Sequence, residues 1–281
     1  MRQKLFSAFA ILMLVSAGLA CSLGSSLFRS KGQRSWHLVL EIAPSASDKE
    51  ATLTQIMRVI ERRLDAAHVP NYKVEAQSGT DNRILVDLPK IADRERVKSL
   101  ITAGGKLEFV QVISPPSPSP VQTFATREEA ASFVKGQDPT TVRILSYRER
   151  DDPIATQELR TSSPAPRWVV VAVPAIVDGS ELRNASAAPS VGVRDEYSIM
   201  FSLGQQGAGK FGAWTAGNIN NYLGVVLNDE VKSIAYIKGQ IYDSGEISGR
   251  FTKQSAEDLA LVLRSGALPV PVKIVSETID K

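Results

Sequence analysis

Gly204-Gln205-Gln206-Gly207-Ala208-Gly209-Lys210 has the glycine and lysine spacing of a phosphate-binding loop. In such a loop, backbone N–H groups cradle phosphate oxygens and the lysine reaches the terminal phosphate. The run sits between a strand-like and a helix-like segment, as that motif requires. Phe211, however, stands where a serine or threonine hydroxyl would hold magnesium, and no apolar strand ending in an acid follows it. Nucleotide binding is therefore not expected. Other reactive residues are sparse. His37 and His68 are the only histidines and Cys21 the only cysteine, so neither a zinc site nor a disulfide is expected. Neither histidine adjoins a nucleophile elbow. Asp151-Asp152 and Glu128-Glu129 are paired carboxylates in polar segments and are read as solvated, not catalytic. The sequence predicts a binding protein, with no catalytic residue, metal or cofactor.

Composition points the same way. With 281 residues, 43% of them hydrophobic, the chain can bury one or two modest cores. Its 33 basic residues against 30 acids leave a net charge of +3, with no clustered patch to favour a nucleic-acid partner.

Arg2 and Lys4 precede an uncharged run from Leu5 to Phe28, which marks a membrane-targeting segment. Ser16-Ala17-Gly18-Leu19-Ala20-Cys21 resembles the lipobox of bacterial lipoproteins, in which Cys21 would carry the lipid. Gly18 departs from that pattern, which has leucine three places before the cysteine. An uncleaved signal anchor is the alternative, because the run exceeds the ~20 residues that span a bilayer. Either way, residues 1–21 are a signal peptide or anchor, 22–35 a linker, and the remainder is expected outside the cytoplasm, tethered to a membrane.

Periodicity then predicts an α+β fold in two lobes. Trp36–Ile42 reads as a strand, and Ser47-Asp48 open a helix through Ala67 with Leu53, Ile56, Met57, Val59, Ile60 and Leu64 on one stripe. Arg58, Glu61, Arg62, Arg63 and Asp65 are read as its solvated face. Residues 72–77 and 83–88 form a hairpin, Asp93 caps a second helix ended by Gly104-Gly105, and Lys106–Ile113 is the fourth strand. Residues 36–113 thus form a βαββαβ, ferredoxin-like lobe. The proline-rich stretch 114–125 is a linker. A second α+β lobe, 126–250, carries strands near 142–148, 167–173, 196–203, 224–227 and 231–237, the last two turning at Asn228-Asp229. Helices fall at 126–135 and 208–219. Residues 251–276 add a helix and a final extended segment.

The string from Gly249 to Val272, GRFTKQSAEDLALVLRSGALPVPV, resembles the stretch that closes the first periplasmic domain of the SecD family. Trp36–Ile42 is similar to that family's HLVLEV strand, Val59–Val69 to its IxRRVDxLGV helix, Asn82–Pro89 to its DRIxVxLPG strand, and Phe201–Leu227 to its glycine- and phenylalanine-containing helix leading into a strand. The resemblance spans about Trp36 to Val275 and implies a base lobe with a mobile head. It also implies a role in capturing unfolded or emerging preprotein near Sec translocon components. Gly32-Gln33-Arg34-Ser35 replaces the family's LGLDLxGG turn, and the later proton-carrying membrane helices are expected to be absent after Lys281. Capture would then be the remaining task, by strand addition or an exposed apolar surface. The candidate surface is Phe201, Phe211, Trp214, Tyr236 and Ile237, whose ordinary alternative is core packing. An envelope lipoprotein with this fold and a different partner is the competing reading.

Overall fold

The computed structural model describes residues 35–43, 49–80, 82–114, 123–147, 167–191 and 195–280. The leader with Cys21, the proline-rich run and Asp151-Asp152 lie outside them. In chain order the elements are β1 (Trp36–Ile42), α1 (Lys49–Ala66), β2 (Lys73–Ala76), β3 (Arg83–Leu88), α2 (Arg94–Thr102), β4 (Leu107–Val112), α3 (Arg127–Phe133), β5 (Val142–Tyr147), β6 (Arg167–Ala172), β7 (Val177–Asp178), β8 (Leu182–Pro189), β9 (Tyr197–Leu203), α4 (Gln205–Gly217), β10 (Tyr222–Leu227), β11 (Glu230–Tyr236), β12 (Ser244–Phe251), α5 (Lys253–Ser265) and β13 (Val272–Ile279). Among the described residues, no helix is long and apolar enough to cross a membrane.

The first lobe is an antiparallel sheet ordered β13-β1-β3-β2. In β1 alternate residues Trp36, Leu38, Leu40 and Ile42 are buried, as the two-residue period of a one-faced strand demands. They pack with Ile84, Val86 and Leu88 of β3 against Leu53, Ile56, Ile60 and Leu64 of α1 and Val97 and Ile101 of α2. Helix α1 ends in a Schellman motif. The N–H of Val69 donates to Leu64 O and that of His68 to Asp65 O, with His68 at φ 56°. His68 is thus an exposed helix stop. Asp93 caps α2 as expected, accepting from Arg96 N at 3.0 Å.

The fourth strand of this sheet is not the one predicted. β13, from the C-terminal end of the described chain, lies beside β1, whereas β4 joins a different sheet. The reason is burial. Leu107 and Phe109 face one core while Val110 and Val112 face another, so β4 is apolar on both sides and belongs in an interior position. β13 is exposed along most of its length, which suits an edge.

In the second lobe the strands run β10-β11-β5-β6-β4-β7, and because β4 also pairs with β10, the ladder from β4 through β10, β11, β5 and β6 returns on itself. Val110, Val112, Leu145, Val169, Val171, Val226 and Val231 fill its interior. Asn228 and Asp229, both at positive φ, make the tight β10–β11 turn. A three-stranded antiparallel sheet, β12-β9-β8, lies across a second core formed with α4 and α5. β8, with the sequence LRNASAAP, has too little apolar content to announce itself. Its small residues let α5 pack closely on it, and Arg264 donates to Ala185 O there.

Candidate functional site

The five candidate surface residues do not share one surface. Phe201, Phe211 and Ile237 are buried, and Trp214 is half-buried against the same core. Phe201 and Phe211 flank Phe109 of β4, with ring centroids 4.7 and 5.4 Å away. Their period-2 position on β9 and their place on the inward stripe of α4 turn them toward α5 and the β4–β10 strands. The reading of these residues as an exposed capture surface is corrected: they hold the second lobe together.

Tyr236 is the member that remains exposed, at 45%. It lies directly opposite Tyr222 in the β10–β11 ladder, ring centroids 5.3 Å apart, and its hydroxyl donates to Asn220 Oδ1 at 2.7 Å. Ile219, one residue before Asn220, is 47% exposed. The hydrogen bond and the partner ring hold Tyr236 in place with little rotamer freedom left to lose on binding. Tyr222 and Ile234 border the valine interior of the strand ring. This end of the lobe therefore offers aromatic and aliphatic surface edged by the amides of Asn218, Asn220 and Asn221, chemistry suited to an uncharged polypeptide segment.

The phosphate-loop lookalike has a different geometry from the motif. Gly204 caps α4 directly after β9, and Gln205 to Lys210 are already helical, so the N–H of Ala208 is spent on Gly204 O at 2.8 Å. Lys210 pairs with Glu181. Gly207 is needed for packing: a Cβ there would fall 2.8 Å from Glu181 Cβ. Gly207→Val should therefore destabilise the fold by ~2 kcal/mol through overpacking, measured by urea denaturation. Glu129 has a local task, accepting from Ala125 N at 2.9 Å ahead of α3. Among the described residues, no three or more His, Cys, Asp or Glu gather to hold a metal ion.

Sequence reasoning missed the junction between the lobes. Arg63, expected on a solvated face, is fully buried. Its Nη1 donates to Leu100 O at 2.8 Å and to Ala103 O, its Nη2 to Gly266 O at 2.9 Å, and its Nε to Ser265 Oγ at 3.3 Å. Leu100 and Ala103 close α2, and Ser265 and Gly266 close α5. One guanidinium thus binds the carbonyl-rich C-terminal ends of two helices, where a cation is favoured. Burial, with Arg62 adjacent, brings its pKa down to about 10, so it stays charged at neutral pH. Gly105, at φ +74°, makes room for it, since a Cβ would meet Val262 Cγ1 at 2.7 Å and Arg63 Nη2 at 3.2 Å. Nearby, Arg96 of α2 grips Asp258 of α5 at 2.8 Å.

Comparison with known proteins places this arrangement. The family described as SecDF, P1 head subdomain, matches residues 155–270, and that described as Protein translocase subunit SecDF, P1 domain, N-terminal, matches residues 53–114. The protein translocase subunit SecD of Koribacter versatilis is 33% identical over 253 residues, covering 89% of this chain and 43% of the relative. That of Aquifex aeolicus is 33% identical over 233 residues, covering 82% and 40%. The chain thus spans roughly two fifths of the relatives it matches. A solved structure described as "Structure and function of a membrane component SecDF that enhances protein export" superposes with a TM-score of 0.61 at 25% identity, over 85% of this chain and 98% of that one. A second, SecDF in a super-membrane-facing form, gives a TM-score of 0.65 at 24% identity, over 88% of this chain and 30% of that one, a likeness of fold. With both subdomain descriptions matched in order along one chain, the protein belongs to the SecD family and carries its P1 domain.

Proposed function

We propose that this chain serves protein export by receiving unfolded or emerging preprotein segments on its second lobe, outside the cytoplasm and near Sec translocon components, while its N-terminal leader holds it to the membrane. The observation that carries this reading is the likeness, over 89% of the chain, to a protein named as a translocase subunit. The sheet order β13-β1-β3-β2, with α1 and α2 packed on it, supports reading the first lobe as a ferredoxin-like base. Its fourth strand is supplied after a long insertion, which is the head. α5 stands between the two, touching α1 on one side and β8 and β9 on the other.

The capture surface on this reading is the Tyr222–Tyr236 pair with Ile219. Apolar contact at this site would be accompanied by hydrogen bonds from the flanking asparagine amides to an extended backbone. Replacing Tyr236 by a photo-crosslinking phenylalanine analogue should yield adducts with a stalled secretory precursor, whereas the same analogue at exposed His68 of the base should not. Tyr236→Ser should cost ~1–2 kcal/mol of stability, because it removes the ring contact with Tyr222 and the hydrogen bond to Asn220 but opens no cavity in the core. Equal adducts from both positions, or none from Tyr236, would reject the surface.

A further inference from the structure

We infer that His37, Asp87 and Asp280 form a proton-operated clasp that ties the C-terminal strand of the base to its N-terminal strand. His37 projects from the outer face of β1, half-exposed between β3 and β13. Its Nδ1 lies 2.6 Å from Asp87 Oδ1 and its Nε2 3.3 Å from Asp280 Oδ2. An ionised carboxylate only accepts hydrogen bonds, and a neutral imidazole has a single N–H to give. Bridging both carboxylates therefore requires the doubly protonated imidazolium. On losing its proton, the ring can serve one aspartate, and the shorter contact to Asp87 is the one retained. Asp280 is then released.

The location gives this release a consequence. Asp280 N donates to Ser35 O at 2.9 Å, and Ile279 pairs with Trp36. The clasp thus closes the last rung of the β1–β13 ladder, beside Ser35, the first of the described residues. Among the described residues, the other charged groups of that outer face are Lys73, Glu75, Arg83, Glu41 and, opposite Glu41 on β13, Lys273. Lys73 of β2, the ladder partner of Asp87, pairs with Glu75, and Arg83 of β3 pairs with Glu41 of β1. Opposite His37, β13 contributes Thr278, which does not titrate near neutrality. Glu277 is turned away, to Trp36 Nε1 and Lys98. Two carboxylates thus flank the imidazole, and the hydrogen bond to Asp87 holds the His37 pKa above its ordinary 6.5.

The sign follows from that direction. The contribution of the clasp is complete below 6.5 and is lost as pH rises through the higher folded-state value. Acidification tightens the strand, and alkaline medium frees it. Hydrogen exchange of the full chain, corrected for intrinsic rates, should show residues 276–280 protected ~3-fold more at pH 6 than at pH 8.5. His37→Gln and, separately, Asp280→Asn should abolish that difference while protection of α5 is unchanged. A pH dependence that survives in both variants, or a His37 imidazole that titrates at or below 6.5 by NMR, would overturn the clasp.

Discussion

Arg63→Met is expected to lower the unfolding free energy by ~3 kcal/mol. Two effects oppose each other. Burying a guanidinium without a carboxylate partner is costly, and methionine of similar length removes that cost. But the acceptors are main-chain carbonyls of Leu100, Ala103 and Gly266, which no side-chain change can remove. Left without a donor in this partly buried junction, such groups cost ~1–3 kcal/mol each where water cannot reach them, so the loss outweighs the relief. Arg63→Lys keeps the charge but replaces a planar fork with a single nitrogen, which cannot reach the ends of both helices at once. It should recover less than half of the loss. Urea unfolding of wild type and both variants measures this directly. A methionine variant as stable as wild type would mean that water replaces the guanidinium and that the lobes are held by Arg96–Asp258 and the Leu100–Leu261–Val262 contacts alone.

Much of this junction was within reach of the sequence. Arg63 stands four residues after Val59 and three after Ile60, so it falls on the same stripe as Leu53, Ile56 and Leu64. Its charge, rather than its spacing, led to the solvated reading. Nothing local to α1 reveals that helix ends from residues 100–103 and 265–266 would neutralise it. The misplacement of β4 has a similar origin. Order along the chain favoured a fourth base strand, while apolar residues at both odd and even positions of LEFVQV already signalled burial on two faces. Strands with a one-sided period, β1, β3 and β9, and the turn at Asn228-Asp229 were legible because local chemistry alone determines them. β8 was not, because close helix packing selects alanine and serine, which carry no period. The candidate surface failed for a related reason: composition identifies large apolar side chains, but only the fold decides which of them face water.

That distinction yields the second large effect. Phe109→Ala should cost ~3–5 kcal/mol, and Phe201→Ala and Phe211→Ala should each fall in or just below the same range, because each opens a cavity in one shared aromatic cluster. Phe109 and Phe211 are fully buried, and Phe109 contacts both other rings. Edge-to-face and tilted ring contacts add ~0.5–1.5 kcal/mol per pair beyond area burial, so the central ring loses most. Since Phe109 lies on β4, Phe201 on β9 and Phe211 on α4, the three single losses should not be additive with one another. A double variant at 109 and 211 should lose less than the sum of the singles, because the two side chains line one cavity. Were these residues instead a polypeptide-binding surface, truncation would weaken precursor crosslinking at unchanged unfolding midpoint. Calorimetry and crosslinking on the same three variants separate the outcomes. The core assignment requires a lowered midpoint in every one, with Tyr236→Ser showing the opposite pattern: lost adducts at a much smaller cost in stability.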